Sequence, residues 1–241
     1  MANYAIYFSP TGGTKKVTDI LTDCLENAQY VDITVKPQTL ELTSDDQCII
    51  SVPSYGGRVP AIATERLHGI RGNGAKAVAV VVFGNRAIDD TLAELKGELD
   101  DAGFVTVAAM EAVAEHSMIR DFGAGRPDVQ DGAELRDFMA KIDWTKTVSA
   151  VPGTRPEKAA GGAALVPGVN RKCTECGLCA AECPVGASLG KTTDKTKCIG
   201  CMRCVSVCLV GARGLNPVLL FVGKLGMKKV CGGRKENKLY L

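Results

Sequence analysis

Residues 5–25 read AIYFSPTGGTKKVTDILTDCL, and this stretch predicts a strand, a loop and a helix in succession. AIYFS is a short apolar run typical of a buried strand, and apolar residues then recur at helical spacing from Val17 to Leu25. Cys24 falls on that apolar helical face, so we expect it to be a core thiol. A strand that leads directly into a helix is the unit from which parallel α/β sheets are built.

The same alternation continues along the first 145 residues. Further strands are predicted at 30–35, 47–53, 77–83 and 104–113, and further helices at about 60–71, 87–102 and 128–142. The run at 77–83 is the most apolar and therefore belongs at the centre of the sheet. Five strands with intervening helices predict a flavodoxin-like doubly wound five-stranded parallel sheet, because a two-half dinucleotide fold needs about six strands. Such a sheet has one ligand crevice.

Cysteine is concentrated near the end of the chain: nine of the 11 cysteines follow position 170. CTECGLCAAECPVGA begins at 173, and CIGCMRCVSVCLVGA begins at 198, so each cysteine of the first run has a counterpart 25 residues later. Both runs have the spacing C-x2-C-x2-C-x3-C, which holds 4Fe-4S clusters in bacterial ferredoxins, with the fourth cysteine binding the other cluster. The duplication predicts a small α+β ferredoxin-like domain with two clusters.

Crossed ligation assigns four cysteines to each cluster. The first set is Cys173, Cys176, Cys179 and Cys208, and the second is Cys198, Cys201, Cys204 and Cys183. Zinc is disfavoured because zinc sites pair two C-x2-C dyads across a longer gap, and disulfides are disfavoured in a reducing compartment. Four glycines are expected to let the backbone approach the inorganic sulfides: Gly177, Gly186, Gly200 and Gly211.

The two parts of the chain carry opposite charge. Residues 1–150 have 14 basic and 22 acidic side chains, whereas residues 151–241 have 15 and 5. A stretch rich in Pro and Gly separates them and reads as a linker. We therefore predict a flavodoxin-like domain at 1–148, a linker at 149–169, the iron–sulfur domain at 170–212, and a C-terminal helix and tail at 213–241 that pack on the body.

Composition also limits location and partners. Basic and acidic residues nearly balance, 29 against 27, so no nucleic-acid partner is expected. No apolar run approaches the ~20 residues that a membrane helix needs, and the N-terminus lacks the basic region of a secretory signal. We expect a cytoplasmic protein without a membrane span.

The loop after the first strand, Ser9-Pro10-Thr11-Gly12-Gly13-Thr14, is the first candidate ligand site. Glycines and hydroxyl groups at a helix N-terminus form a phosphate cradle at the carboxyl end of a strand. The loop matches neither a Walker A motif nor G-x-G-x-x-G, and hydroxyl-rich binding without a lysine suits a monophosphate such as that of FMN. An ordinary strand-to-helix turn is the alternative interpretation.

SPTGGT resembles the FMN phosphate loop of flavodoxins, and its union with the doubled cysteine motif resembles the fused flavodoxin–ferredoxin family. The segments PSYGGRVP (53–60), FGNRAIDD (83–90), AEHSM (114–118), GRPD (125–128) and GRKEN (233–237) are also similar to that family, so the resemblance spans nearly the whole chain. It implies an electron-transfer protein that holds FMN and two 4Fe-4S clusters and acts with redox partner proteins.

The resemblance also implies the residues that hold FMN. Phosphate would bind to Ser9, Thr11, Gly12, Gly13 and Thr14. The isoalloxazine ring would lie between two loops, formed by Ser54, Tyr55, Gly56 and Gly57 and by Gly84, Asn85 and Arg86. Tyr55 is the stacking candidate, and the side-chain amide of Asn85 would meet the flavin's polar edge.

Other single residues are open to two interpretations. Trp144 is expected to pack rather than stack, Cys231 to be a free thiol, and His68 to lie on the surface or in the core. His116 follows the fifth strand and is either a structural histidine or a residue near the flavin.

The interpretation that follows is a relay of single electrons between FMN and the clusters, with no catalytic residue assigned. Two alternatives stay open: a flavin-dependent reductase of a small acceptor fed by the clusters, and a cluster-bearing sensor or subunit whose first domain holds no flavin. In the reductase, His116, Tyr55 or Arg86 would be the proton donor.

Overall fold

The computed structural model describes residues 1–155 and 165–241. Its elements are β1 (Asn3–Tyr7), α1 (Gly13–Thr22), β2 (Gln29–Asp32), β3 (Leu40–Glu41), β4 (Gln47–Pro53), α2 (Ala61–Leu67), β5 (Ile70–Arg71), β6 (Lys76–Phe83), α3 (Thr91–Asp101), β7 (Val105–Val113), α4 (Val129–Ala140), β8 (Gly168–Val169), α5 (Leu178–Ala181), β9 (Ser188–Leu189), β10 (Thr192–Thr193), α6 (Arg203–Ser206), β11 (Arg213–Gly214), α7 (Pro217–Cys231) and β12 (Lys238–Tyr240). Residues 156–164 of the predicted linker lie outside the described part.

A six-stranded sheet organises the first part of the chain. Its order is β12-β7-β6-β4-β1-β2, and the five strands of this sheet other than β12 run parallel to one another. Without β12 this is the strand order of the flavodoxin-like fold, so the predicted fold class is confirmed. β6 is almost wholly buried, as its position inside the sheet, between β7 and β4, requires.

Helices cover both faces of the sheet and form two apolar cores. One core packs α2 and α3 on the sheet, through side chains such as Leu67 and Leu95. The other packs α1 and α4, through side chains such as Leu21 and Leu135, and Trp144 lies at its edge as a packing residue. The prediction for Cys24 was wrong: the thiol is exposed, because α1 ends at Thr22, before the helical spacing reaches it.

The C-terminal segment adds the sixth strand. β12 pairs antiparallel with β7, with Leu239 opposite Met110, and so covers an edge that would otherwise be open. Asp131, which is fully buried in α4, accepts hydrogen bonds from Arg126 Nε at 2.8 Å and from Asn237 Nδ2 at 3.0 Å. Arg126 Nη1 also donates to the carbonyl of Lys235 at 2.7 Å. This buried network ties the tail to the sheet domain.

Two small antiparallel pairs, β8–β11 and β9–β10, frame the cysteine-rich module together with α5 and α6. The long helix α7 follows, and its inner side packs on Ile119 and Phe122 of the loop after β7. Among the described residues, no helix has the length and apolarity needed to cross a membrane.

Candidate functional site

The eight cysteines of the two runs line two separate cavities. The first contains about 370 Å³ of non-protein space, and its cysteines are Cys173, Cys176, Cys179 and Cys208. The second contains about 310 Å³, and its cysteines are Cys183, Cys198, Cys201 and Cys204. Each cavity thus takes three cysteines from one run and the fourth from the other, which is the crossed arrangement expected of paired 4Fe-4S sites. We name them cavity 1 and cavity 2.

The chemistry of both cavities fits a cluster rather than one ion. Each cavity brings four thiols together, which is the number and type of ligand that a 4Fe-4S cubane takes. Backbone N–H groups already point at thiol sulfur: Ala187 N lies 3.2 Å from Cys183 Sγ, and Ala212 N lies 3.1 Å from Cys208 Sγ. Such donors stabilise negative charge on sulfur.

The two cavities differ in exposure. Cys176 of cavity 1 is exposed, whereas Cys198, Cys201 and Cys204 of cavity 2 are buried. Burial raises the pKa of the Cys201 thiol to about 12 and that of Cys204 to about 11 in the cluster-free chain. Iron must therefore displace these protons when it binds, so assembly of the site in cavity 2 releases protons.

A buried arginine reaches both sets of cysteines. Arg213 lines cavity 1, is only 5% exposed, and its Nη2 donates to Ser188 Oγ at 2.8 Å. Burial alone would raise the pKa of the Cys179 thiol, but hydrogen bonds from Ser188 and Arg213 lower it. The charge of Arg213 also opposes the raised pKa of Cys204, whose sulfur lines cavity 2. The guanidinium therefore acts on both cysteine sets.

A larger cleft opens at the carboxyl ends of the parallel strands, where an open α/β sheet binds its ligands. It contains about 1200 Å³ of non-protein space, open to solvent on one side. Its lining comes from the loops after β1, β4, β6 and β7. Of the residues predicted to hold FMN, seven line it: Thr11, Gly13, Thr14, Ser54, Tyr55, Gly56 and Gly84. We name it the strand-end cleft.

The loop after β1 offers unpaired amides to the cleft. No described residue accepts a hydrogen bond from the N–H of Thr11, Gly13 or Thr14, and all three residues line the cleft. Ser9 does not line the cleft: its Oγ is buried and accepts from Lys15 N at 2.8 Å. Ser9 therefore shapes the cradle instead of touching the ligand, and free N–H groups at a helix start fit a phosphate.

The loop after β4 is held by a partly buried ion pair. Arg58 donates from Nε to Glu94 Oε2 at 3.0 Å and from Nη2 to Glu94 Oε1 at 2.8 Å, and the N–H of Val59 also donates to this carboxylate. Ser54 Oγ lies 2.8 Å from Thr91 Oγ1. These contacts fix the loop to α3, so Tyr55 is presented to the cleft by a rigid support.

The loop after β6 corrects the expected flavin contacts. The side-chain amide of Asn85 is turned away from the cleft and donates to the carbonyls of Cys231 at 2.6 Å and Gly233 at 2.8 Å. Arg86 forms an ion pair with Asp89 and does not line the cleft either, and the same holds for Gly12 and Gly57. Asn85 is therefore a clamp for the C-terminal tail, a contact 146 residues distant in sequence.

The loop after β7 supplies lining residues that the sequence left undecided or missed. His116, Ser117 and Met118 all face the cleft. The imidazole of His116 packs edge-on against Phe122, and its Nδ1 accepts from the N–H of Met118 at 3.2 Å. Its Nδ1 thus accepts, so the proton of the neutral ring is on Nε2, and burial lowers its pKa. The position of His116, Ser117 and Met118 directly after the end of β7 is the sequence signal that could have identified them as lining residues.

Contacts join the cysteine module to the sheet domain beside the cleft. Ile199, next to the ligand candidate Cys198, lines both cavity 2 and the strand-end cleft. Arg203 and Ser206 of α6 both donate to the carbonyl of Pro10, at 3.3 and 3.4 Å. Arg66, which is buried, donates from Nη2 to the carbonyl of Pro184 at 2.6 Å.

Tyr55 also lines the cleft, and burial raises the pKa of its phenol. Because Ile199 lines both sites, cavity 2 is the one that adjoins the cleft, and cavity 1, with its exposed Cys176, lies toward solvent. Sequence reasoning could not find Ile199, because nothing in its local pattern distinguishes it from any apolar residue beside a cysteine.

Comparison with protein families identifies the cysteine module. A 4Fe-4S binding domain matches residues 169–188 and 191–213. Compared by sequence with curated proteins, the chain has no match. The module is a 4Fe-4S binding domain, in agreement with the spacing of its cysteines.

Three of the solved structures that are similar to this chain each match 58% of it. A rubredoxin oxygen:oxidoreductase from Desulfovibrio gigas is 14% identical with a TM-score of 0.41, and the chain spans only 35% of that protein. Oxidised flavodoxin 2 from Bacillus cereus is 13% identical with a TM-score of 0.43, and 96% of it is covered. A flavodoxin from the domain Archaea is 12% identical with a TM-score of 0.41, and 94% of it is covered.

Proposed function

We propose that this chain, a flavodoxin-like sheet domain fused to a 4Fe-4S binding domain, transfers single electrons between FMN and two 4Fe-4S clusters within one molecule. The observation that carries the proposal is the shared wall between the strand-end cleft and cavity 2, formed by Ile199. A flavin that takes one or two electrons is the natural partner of clusters that carry one each.

The described residues fit these groups. Cavity 1 would hold one cluster and cavity 2 the other, each through its four cysteines. In the strand-end cleft, the unpaired amides of Thr11, Gly13 and Thr14 would bind the FMN phosphate, and Tyr55 would pack against the ring. The side chains of Asn85 and Arg86 take no part, since they are engaged elsewhere.

Position sets the order of transfer. Cavity 2 is buried beside the cleft, and cavity 1 has an exposed ligand candidate in Cys176. We infer that an external redox partner protein exchanges electrons with the cluster of cavity 1, and that the cluster of cavity 2 exchanges them with FMN. Arg66, Arg203 and Ser206 contribute by holding the module at the cleft.

A second candidate, reduction of a small acceptor at the flavin, is favoured by one observation. The cleft is open, and His116 in its wall has a proton on Nε2 that no described residue accepts. In that function His116 would be the proton donor. His116→Gln should then abolish acceptor reduction but leave electron exchange with the clusters unchanged.

The relay is tested by anaerobic purification followed by analysis of flavin, iron and sulfide, with about eight irons per chain expected. Two cysteine variants then test the order. Cys201→Ser should stop reoxidation of photoreduced flavin by the clusters, whereas Cys176→Ser should leave that first step intact and block exchange with an external carrier. Electron paramagnetic resonance checks that each variant keeps its other cluster. The reverse pattern, or chains with iron but no affinity for FMN, would contradict the proposal.

A further inference from the structure

Arg213 is a buried cation without a carboxylate partner. Its guanidinium bonds to neutral oxygens and to the Cys179 sulfur: Nη1 donates to Thr193 Oγ1 at 2.6 Å, and Nη2 donates to Ser188 Oγ and to backbone carbonyls. No carboxylate of the described residues forms an ion pair with it, and its buried Nε has no hydrogen-bond partner. Burying an unpaired charge and an unpaired donor is costly, so a negative group is missing from its surroundings.

The position of Arg213 beside the two cysteine cavities indicates which negative group it would face. The side chain lines cavity 1, and it donates to the same serine, Ser188, that lines cavity 2. An all-thiolate 4Fe-4S cluster is an anion, and its charge becomes more negative when it accepts an electron. We propose that Arg213 is the shared counter-charge of the two clusters and raises the reduction potential of both.

The inference deepens the electron-transfer proposal but rests on the clusters alone and does not require FMN. Its test is a redox titration of the full chain, followed by electron paramagnetic resonance, after iron analysis has shown that both clusters are present. Arg213→Met should shift both midpoint potentials to more negative values. Arg213→Lys, which keeps the charge, should leave them near those of the wild type.

Arg171→Met is the matched control, because it removes one exposed positive charge near the first cysteine of the module. We expect its effect to be less than half that of Arg213→Met, since solvent screens an exposed charge. An unchanged potential in Arg213→Met, a shift in one cluster only, or an equal shift in Arg213→Lys would overturn the inference. Absence of iron from the wild-type chain would instead refute the proposed function.

A different observation concerns the surface of α7. Its outer face consists of six exposed apolar side chains: Val218, Leu219, Phe221, Val222, Leu225 and Val230. Val218 is 70% and Phe221 61% exposed, whereas the inner residues Leu220, Met227 and Cys231 pack on the loop after β7. The helix is about 22 Å long at 1.5 Å per residue. Single exposed apolar side chains are normal on a protein surface, but a continuous row of large ones along a helix is typical of an interaction site.

The charge of the surrounding segment indicates what kind of surface the outer face of α7 binds. From 213 to 235 the sequence has six basic residues and no acidic one. Lys228 and Lys229 at the end of α7 form no ion pair with any described residue, and both are exposed. An apolar helical face flanked by lysines matches the boundary between acyl chains and anionic headgroups. We infer that the outer face of α7 rests on an anionic lipid surface, without crossing it.

Vesicle co-sedimentation of the full chain tests this second inference. Binding is expected to vesicles of equal phosphatidylglycerol and phosphatidylcholine, to fall with added salt, and to be absent with phosphatidylcholine alone. Phe221→Asp with Leu225→Asp, and separately Lys228→Glu with Lys229→Glu, should each reduce binding at least tenfold. Leu209→Asp changes an even more exposed apolar residue, in the cysteine module, and should bind within twofold of the wild type.

Three results would overturn it. One is failure to bind either vesicle, and another is equal binding by the Phe221→Asp, Leu225→Asp chain. The third is self-association in sedimentation velocity that this double variant abolishes, without lipid binding, since the face would then be covered by a second copy. Unchanged visible absorption of the clusters confirms that each variant is folded.

Discussion

Arg66→Met removes a buried cation that bonds directly across to the cysteine module. Its Nη2 donates to the carbonyl of Pro184 at 2.6 Å, directly after Cys183, while Nη1 donates to the carbonyl of Ile33 at 2.8 Å within the sheet domain. A hydrogen bond from a charged donor contributes about 1.5–3 kcal/mol. Loss of the bond to Pro184 should therefore raise the undocked population about 10- to 150-fold, at tenfold per 1.4 kcal/mol.

Hydrogen exchange measures this population directly, because amides that only docking protects exchange in proportion to the open fraction. Under anaerobic conditions, peptides that cover 196–207 should exchange about 10- to 150-fold faster in Arg66→Met. Peptides from β6 report unfolding of the sheet and give the reference. Arg71→Met, an exposed arginine of β5, is the control and should behave as the wild type. Exchange within threefold of the wild type would show that Arg66 is not the clamp.

Three further outcomes follow from the same contacts. Asp131→Asn breaks a buried pair and should cost about 3–5 kcal/mol in anaerobic urea unfolding, whereas exposed Asp137→Asn should cost below about 0.5 kcal/mol. Burial opposes ionisation of Asp131, but hydrogen bonds from Arg126 and the backbone hold its pKa below the usual value. The contribution of Asp131 to the free energy of unfolding is therefore complete above about pH 4 and is lost as the pH falls further. This pH dependence should vanish in Asp131→Asn. Cys183→Ser should abolish the resonance signal of the cluster whose other ligands come from the second run. Asn85→Ala should weaken the tail by about 2–3 kcal/mol in hydrogen exchange yet leave FMN affinity within twofold, and a larger loss of affinity would restore the original flavin assignment.

Local signals made much of this architecture predictable. AIYFS and the helix that follows are set by short-range apolar spacing, so β1 and α1 could be placed from the sequence. The doubled cysteine run predicted which thiols share a cavity, because crossed ligation depends only on spacing. The five parallel strands followed from the same alternation.

Long-range contacts account for what the sequence did not reveal. Asn85 lies in a loop whose sequence is typical of a ligand-binding loop. Its side-chain amide nevertheless donates to the backbone carbonyls of residues 231 and 233, which pack against it. The sixth strand, β12, was expected only as a tail, since three residues carry too little pattern to predict pairing with β7. Ile199 acquires its place between two cavities only after the module docks on the sheet domain.

The opposite charges of the two parts guide their docking more than they fix it. Surface charges are screened beyond ~8 Å at physiological ionic strength. The specific contacts at Pro10 and Pro184, made by Arg203, Ser206 and Arg66, define the arrangement instead. They place cavity 2, and not cavity 1, at the cleft.

The most direct test of electron transfer within one molecule is the rate of flavin reoxidation after a photoreducing flash. The anaerobic full chain with FMN and both clusters should be followed over a tenfold range of protein concentration. The shared wall at Ile199 predicts a first-order rate that does not depend on concentration. A rate that rises in proportion to protein concentration would mean that electrons pass between molecules, and it would contradict the account.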